Sequence, residues 1–275
     1  MKISRTPLRI SFFGGGTDYP QFYLEHGGAV LGTSINKYCY VMLHEGKSWH
    51  TFDLPTKSGL ASSSAYTVGL LRVCTELDKA TIAQLATVWE QDKMNGMVGS
   101  QDQYLCAVGG FHHLKFNAHG IKDIQLDMKL VSPLQDYLML FDSHQYRHAS
   151  DIVTHQIDHL ERNTKLLLNM KEQVNIGVSL LKQADYIAFG ILLHEAWMLK
   201  KQLSQYVSTS IIDDIYELAM KAGATGGKLL GGGGGGFLIF VVEPDKQQSV
   251  REALSELTHV PFKFENHGTE VIYHD

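Results

Sequence analysis

The sequence predicts an α+β fold in two lobes, and three observations predict it. Strand and helix patterns mix without strict β-α-β alternation. Apolar residues at Leu70, Val73, Cys74 and Leu77 recur at i, i+3, i+4 and i+7, the period of an amphipathic helix. The run from Phe237 to Val242 is short, apolar and rich in β-branched and aromatic residues, as a buried strand is. A chain of 275 residues with 44% apolar content makes ample core without staples. The break between lobes falls near 125–135, which divides the chain into 1–130 and 131–275.

The elements follow in order. Leu8 to Phe13 reads as a strand stopped by three glycines, and 29–42 as further strand. A helix is predicted over 63–77 and another near 81–94. Strands are predicted at 105–116 and 137–142, and long helices within 150–206, where Val153, Ile157 and Leu160 make one apolar stripe. A helix over 211–222 ends at Gly223. The strand 237–242 follows six consecutive glycines, and a short helix from about 246 precedes a terminal strand near 260–273.

Composition excludes several classes. The formal net charge is −5, so no global basic field attracts nucleic acid or anionic lipid. Any anionic ligand must be held by local groups. Three cysteines with no C-x-x-C spacing favour a reducing compartment over a disulfide framework. The first residues lack the apolar segment of a secretory signal, and no run approaches a membrane span. A cytoplasmic protein with no nucleic-acid or membrane partner is the expectation, with a homodimer kept open.

One stretch carries chemistry: Pro55 to Ala65, P-T-K-S-G-L-A-S-S-S-A, at the mouth of the helix predicted from 63. A helix N-terminus leaves about four N–H groups unpaired and carries about half a positive charge, so it suits an anion. Gly59 and Ala61 let a phosphate approach the backbone, and serines add donors and an oxygen ligand for magnesium. A serine N-cap with spare small residues is the other reading. Lys57 is a phosphate contact or a solvated charge.

Two nucleotide signatures fail on inspection. K-A-G-A-T-G-G-K-L-L, from Lys221, is one residue too short for a P-loop and has Leu229 where Ser or Thr would hold magnesium. Gly231 to Gly236 contains G-x-G-x-x-G trivially, but it precedes a strand and opens no helix. Six glycines carry a high backbone entropy, for which close approach to a ligand or another loop compensates; a packing turn is the alternative. His155 and His159 are spaced i, i+4 but lack the H-E-x-x-H glutamate, so they read as an exposed pair rather than a zinc site.

Three stretches in order resemble the three motifs of the GHMP kinases: R-I-S-F-F-G-G-G-T-D-Y-P from Arg9, the serine-rich stretch above, and G-A-T-G-G-K-L-L followed by the six glycines from Gly223 to Phe237. V-G-S-Q-D-Q-Y from Val98 and P-F-K-F-E-N-H-G-T-E-V-I from Pro261 are similar to the bacterial D-glycero-D-manno-heptose 7-phosphate kinases, which serve GDP-heptose synthesis. The resemblance implies an N-terminal β-α lobe, a ferredoxin-like C-terminal lobe, and transfer of the γ-phosphoryl group of ATP, with Mg²⁺, to the anomeric hydroxyl of the heptose phosphate. It implies Asp102 as general base, Ser63 and Glu90 as magnesium ligands, and Asp18 on sugar hydroxyls. Gly59, Leu60, Ala61, Ser62 and Ser64, with Lys57, would wrap the phosphates; Gly233 and its neighbours would line the substrate side. Arg9 and Arg147 are the candidates for the sugar's own phosphate, since arginine grips phosphate bidentately. A loose transition state lets a carboxylate such as Asp102 accept the proton late. A kinase of fucose or galactose is the nearest alternative, and a non-catalytic kinase-like binding module another. The chain departs from the family pattern between Leu43 and Asp53, where it is shortened beside the expected adenine pocket.

Overall fold

The computed structural model describes residues 1–93, 98–146 and 160–275. Two antiparallel sheets organise them. The first has six strands: β1 (Lys2–Phe13), β2 (Gly28–His44), β3 (Lys47–Phe52), β4 (Phe111–Asn117), β5 (Gly120–Gln125) and β10 (Glu270–His274). Its order is β10-β1-β2-β4-β5, with β3 also on β2. The second has four: β6 (Leu138–Asp142), β7 (Ala224–Leu229), β8 (Phe237–Val242) and β9 (Thr258–His259), in the order β7-β8-β6-β9. Taken in chain order those four strands lie second, third, first, fourth, the arrangement of a split β-α-β, ferredoxin-like sheet.

Helices α1 (Pro20–His26), α2 (Ser62–Cys74), α3 (Lys79–Lys93), α4 (Gln101–Val108) and the single turn α5 (Met128–Val131) accompany the first sheet. Helix α6 (Leu160–Lys182) packs on β1 and β2 of the first sheet, and helices α7 (Tyr186–Gln202), α8 (Ser210–Lys221) and α9 (Gln247–Ala253) accompany the second.

Period-2 alternation explains why β8 reads as a continuous apolar run. Phe237, Ile239 and Val241 join the large central core, while Leu238, Phe240 and Val242 join a second cluster with Trp197, Ile212 and Tyr216. Both faces are covered, so no position needs to be polar. Strand β1 divides its faces differently. Leu8, Ile10 and Phe12 enter the core, and the interleaved Arg9 and Ser11 look into a cavity between the lobes. The core is continuous across the lobes: the Phe189 ring on α7 packs edge-on against Phe12 and Phe13, with centroids 5.6 and 5.0 Å away.

Several boundaries differ from the sequence reading, each for a visible reason. The helix predicted over 63–77 begins at Ser62 and ends at Cys74, because Thr75 turns extended (φ −137°, ψ 161°) and its hydroxyl takes the Leu71 carbonyl. Residues 105–108, read as strand, are the end of α4; the apolar run Leu105-Cys-Ala-Val is ambiguous in period, and Gly109–Gly110 separate it from β4. The predicted terminal strand is two pieces, β9 and β10, with β10 leaving its own lobe to pair with β1. Strands β3, β5 and β7 carry weak alternation and escaped the reading. The stretch that looked like a near P-loop contains β7, in agreement with its rejection. Where the chain is shortened after Leu43, it turns within two residues, Glu45 and Gly46, both at positive φ (48° and 73°), as a tight type I′ hairpin requires. Among the described residues no helix is long and apolar enough to cross a membrane. Arg147, His155 and His159 lie outside the described residues.

Candidate active site

The serine-rich stretch builds one wall of the cavity. Ala61, the residue before α2, is left-handed (φ 63°, ψ 37°), and no side chain caps the helix. The first helical bond runs from the Ala65 N–H to the Ala61 carbonyl, which leaves the N–H groups of the three serines ahead of it outside the helical ladder. Lys57, Gly59, Ala61, Ser62, Ser63 and Ser64 all line the cavity. Ser62 accepts from the Lys57 N–H at 3.2 Å, which closes the loop on itself, and Ser63 is exposed. The Leu60 side chain is turned into the core instead, and its carbonyl accepts from the Arg9 N–H.

The glycine run from 231 packs against this loop. A Cβ on Gly231 would stand 2.4 Å from the Gly59 Cα, and one on Gly59, at φ +85°, would stand 2.4 Å from the Leu230 carbonyl oxygen. The two backbones touch with no room for a side chain between them, which is the reason for glycine here. Gly231, Gly232, Gly233 and Gly235 face the cavity.

Across the cavity stands Asp102, in the first turn of α4. Arg9 grips it through two parallel bonds, Nε to Oδ1 at 2.8 Å and Nη2 to Oδ2 at 2.7 Å, and its Nη1 takes the Gly59 carbonyl at 2.7 Å. The guanidinium therefore joins the carboxylate to the serine-rich loop. Arg9 thus pairs with Asp102 while also lining the cavity. Asp18 lies beside them, buried, accepting from the N–H groups of Gly16 (3.0 Å) and Gln101 (3.3 Å). Burial, then the charge of Asp102, push its carboxyl above the usual range. Gly99 is pressed against it: a Cβ there would meet Asp18 Oδ2 at 2.1 Å.

Glu90 sits behind the loop rather than in the cavity. It accepts from Ser64 Oγ at 2.8 Å, Thr67 Oγ1 at 2.7 Å and the Gln103 amide, so it ties α2, α3 and α4 together. Burial raises its pKa against the pull of those three bonds. No group of three or more His, Cys, Asp or Glu suited to a metal occurs among the described residues.

Four cavity residues went unremarked in the sequence. Lys228 Nζ donates to the carbonyls of Ser11 (3.0 Å) and Phe12 (2.9 Å), and Lys200 Nζ to that of Gly231. Ser11 Oγ and Gln101 Oε1 are buried with no hydrogen-bond partner. Ser11 had a signal, two positions after Arg9 on one face of a strand. Lys200 had none, since Lys200–Lys201 near a helix end reads as a solvated pair.

Residues 37–110 match the model for the GHMP kinases N terminal domain, and 178–259 the model for GHMP kinases C terminal. D-glycero-α-D-manno-heptose 7-phosphate kinase of Campylobacter jejuni is 27% identical, over 91% of this chain and 92% of that protein. The alignment runs over 312 positions, more than the 275 residues present here, so that relative has stretches with no counterpart in this chain. The bifunctional fucokinase/GDP-fucose pyrophosphorylase of Arabidopsis thaliana is 28% identical over 80% of this chain and 22% of its own length. A D-glycero-D-manno-heptose 1-phosphate kinase structure from Bacteriodes thetaiotaomicron superposes with a TM-score of 0.79 at 22% identity, over 100% of both chains. Both halves of the family signature fall in order on the two lobes whose meeting forms the cavity, and the chain belongs to the GHMP kinase family of ATP-dependent small-molecule kinases.

Proposed function

We propose that the protein transfers the γ-phosphoryl group of ATP to the anomeric hydroxyl of D-glycero-D-manno-heptose 7-phosphate. One observation carries this reading: the uncapped serine loop and the Asp102 carboxylate face one another across a single cavity, joined by Arg9. Phosphoryl transfer asks for positioning and for donors around the phosphate oxygens, and the loop supplies both. The acceptor hydroxyl attacks the γ-phosphorus, the bond to the β-bridging oxygen breaks, ADP departs, and Asp102 takes the hydroxyl proton. Arg9 holds both carboxylate oxygens, which sets the orientation of Asp102. Asp18 binds the sugar hydroxyls next to it.

The donor set fits Mg²⁺ through the exposed Ser63 hydroxyl. Magnesium keeps several waters and takes one or two protein groups besides substrate phosphates. Glu90 is bonded to Ser64, the residue after Ser63, and does not itself line the cavity. The ion would neutralise charge on the phosphates. Likeness to the heptose 7-phosphate kinase supports the acceptor, while the fucokinase likeness keeps a free hexose as the second reading. A coupled ADP-release assay over heptose 7-phosphate, fucose, galactose and mevalonate decides between them. The proposal expects the highest kcat/KM with heptose 7-phosphate, and a preference for a free hexose overturns it.

A further inference from the structure

The cavity wall contains two buried lysines without an ion-pair partner among the described residues. Lys200 is 7% exposed and Lys228 5%. Of the two carboxylates nearby, Asp102 is taken by Arg9, and burial drives Asp18 toward its neutral form. An ammonium has three donors. Lys200 uses one on Gly231, so donors are left over there, while burial, then the charges of Lys200 and Arg9, push the Lys228 amine well below its usual range, and its two bonds go to Ser11 and Phe12. Burying uncompensated positive charge is costly unless an anion completes the site.

A second observation is independent of charge. Ser11 Oγ and Gln101 Oε1 line the same cavity, are 7% and 6% exposed as residues, and have no partner. They are neighbours, since Ser11 Oγ and the Gln101 amide nitrogen lie 3.4 and 3.7 Å from where a Gly15 Cβ would stand. Buried polar atoms that line a cavity and lack a protein partner suit polar groups of a ligand.

We propose that Lys200 seats a phosphoryl group of the acceptor, with Lys228 holding β1 beside it, and that Ser11 and Gln101 hold the acceptor's hydroxyls next to that group. The inference rests on the kinase reading and deepens it, by assigning the acceptor's anion to Lys200 rather than to Arg9. The same lysine chemistry could instead meet the γ-phosphoryl group in transit, and the test separates the two sources.

The test compares Lys200→Met with the parent, using Lys201→Met as control; Lys201 pairs with Asp213 and does not line the cavity. Heptose 7-phosphate binding is measured by calorimetry without nucleotide, and steady-state kinetics are run with heptose 7-phosphate and with a free hexose. Lys200→Met should weaken sugar-phosphate binding and raise its KM at least about tenfold, with severalfold smaller changes in the KM for ATP and in the kcat/KM for the free hexose. Lys200→Arg should recover part of the loss. Ser11→Ala, which removes an unpartnered hydroxyl and so leaves the fold intact, should weaken both acceptors severalfold. A fall in kcat for both acceptors with unchanged sugar-phosphate binding would place Lys200 on the transferring group and overturn the assignment. Parent-like binding in Lys200→Met overturns it as well. Should the parent release no ADP with any acceptor, the kinase reading fails, while the calorimetric comparison still reads the anion seat.

Discussion

Asp102 and Arg9 form the smallest unit that matters. Two parallel charge-assisted bonds fix the carboxylate's rotation and tilt, which a lysine at position 9 would not do. Asp102→Asn keeps the shape but removes the proton acceptor and leaves a buried guanidinium unpaired. Turnover should fall at least about 100-fold with the KM for ATP nearly unchanged, and steady-state assays with both substrates check this. Lys200 adds a pH dependence. Burial, then the charge of Arg9, lower its pKa to about 8 from 10.5. The folded state therefore holds fewer protons than the unfolded one between those values, so this group makes the free enzyme more stable as pH rises through that window. Its charge, and with it acceptor affinity, is present below about pH 8 and lost above. The KM for heptose 7-phosphate should rise between pH 7 and 9 in the parent and stay flat in Lys200→Arg, as a pH series of initial rates can show.

Helices and loops set those residues in place. Helix α2 begins without a side-chain cap, so the role the sequence allowed its serines as caps is not used; Ser62 closes the loop on Lys57, Ser64 holds Glu90, and Ser63 stays exposed. Glu90 links α2, α3 and α4 through Ser64, Thr67 and Gln103. Glu90→Ala strands three buried donors and should destabilise the protein by about 2–4 kcal/mol, read from denaturant midpoints at constant m. The contact of Gly59 with Gly231 makes the phosphate loop and the glycine run a single packed unit. Gly231→Ala forces a methyl group into the Gly59 backbone at a positive φ (75°). It should reduce ATP affinity and kcat together at least about tenfold, whereas a loop that merely fills space would lower only the melting temperature.

At the scale of the whole molecule, two sheets meet through one continuous core, and the cavity lies where they meet. Lys228, on β7 of one sheet, bonds carbonyls on β1 of the other, and Phe189 packs on Phe12 and Phe13 across the same junction. The lobes should therefore unfold together. Phe189→Ala should cost about 3–5 kcal/mol and leave one calorimetric transition at lower temperature; two resolved transitions would contradict a shared core.

What the sequence determined by itself was local. The alternation in β1, the apolar run of β8, the 3.6-residue period of α2 and the serine-glycine chemistry of residues 55–65 are properties of neighbouring residues, and each was legible. Asp18 and the glycine run were legible as cavity residues through the ordered motifs, and Asp102 through V-G-S-Q-D-Q-Y. The tertiary structure decided what depends on residues far apart in the chain. It placed Arg9 on Asp102, 93 positions away, and set Glu90 behind the loop. It sent β10 to the far sheet and brought Lys200, Lys228, Ser11 and Gln101 to one cavity wall. The physical reason is that a charge is read by what surrounds it. Periodicity reports which face of an element a residue is on, whereas its counter-ion, its burial and its orphaned bonds exist only once the elements have packed.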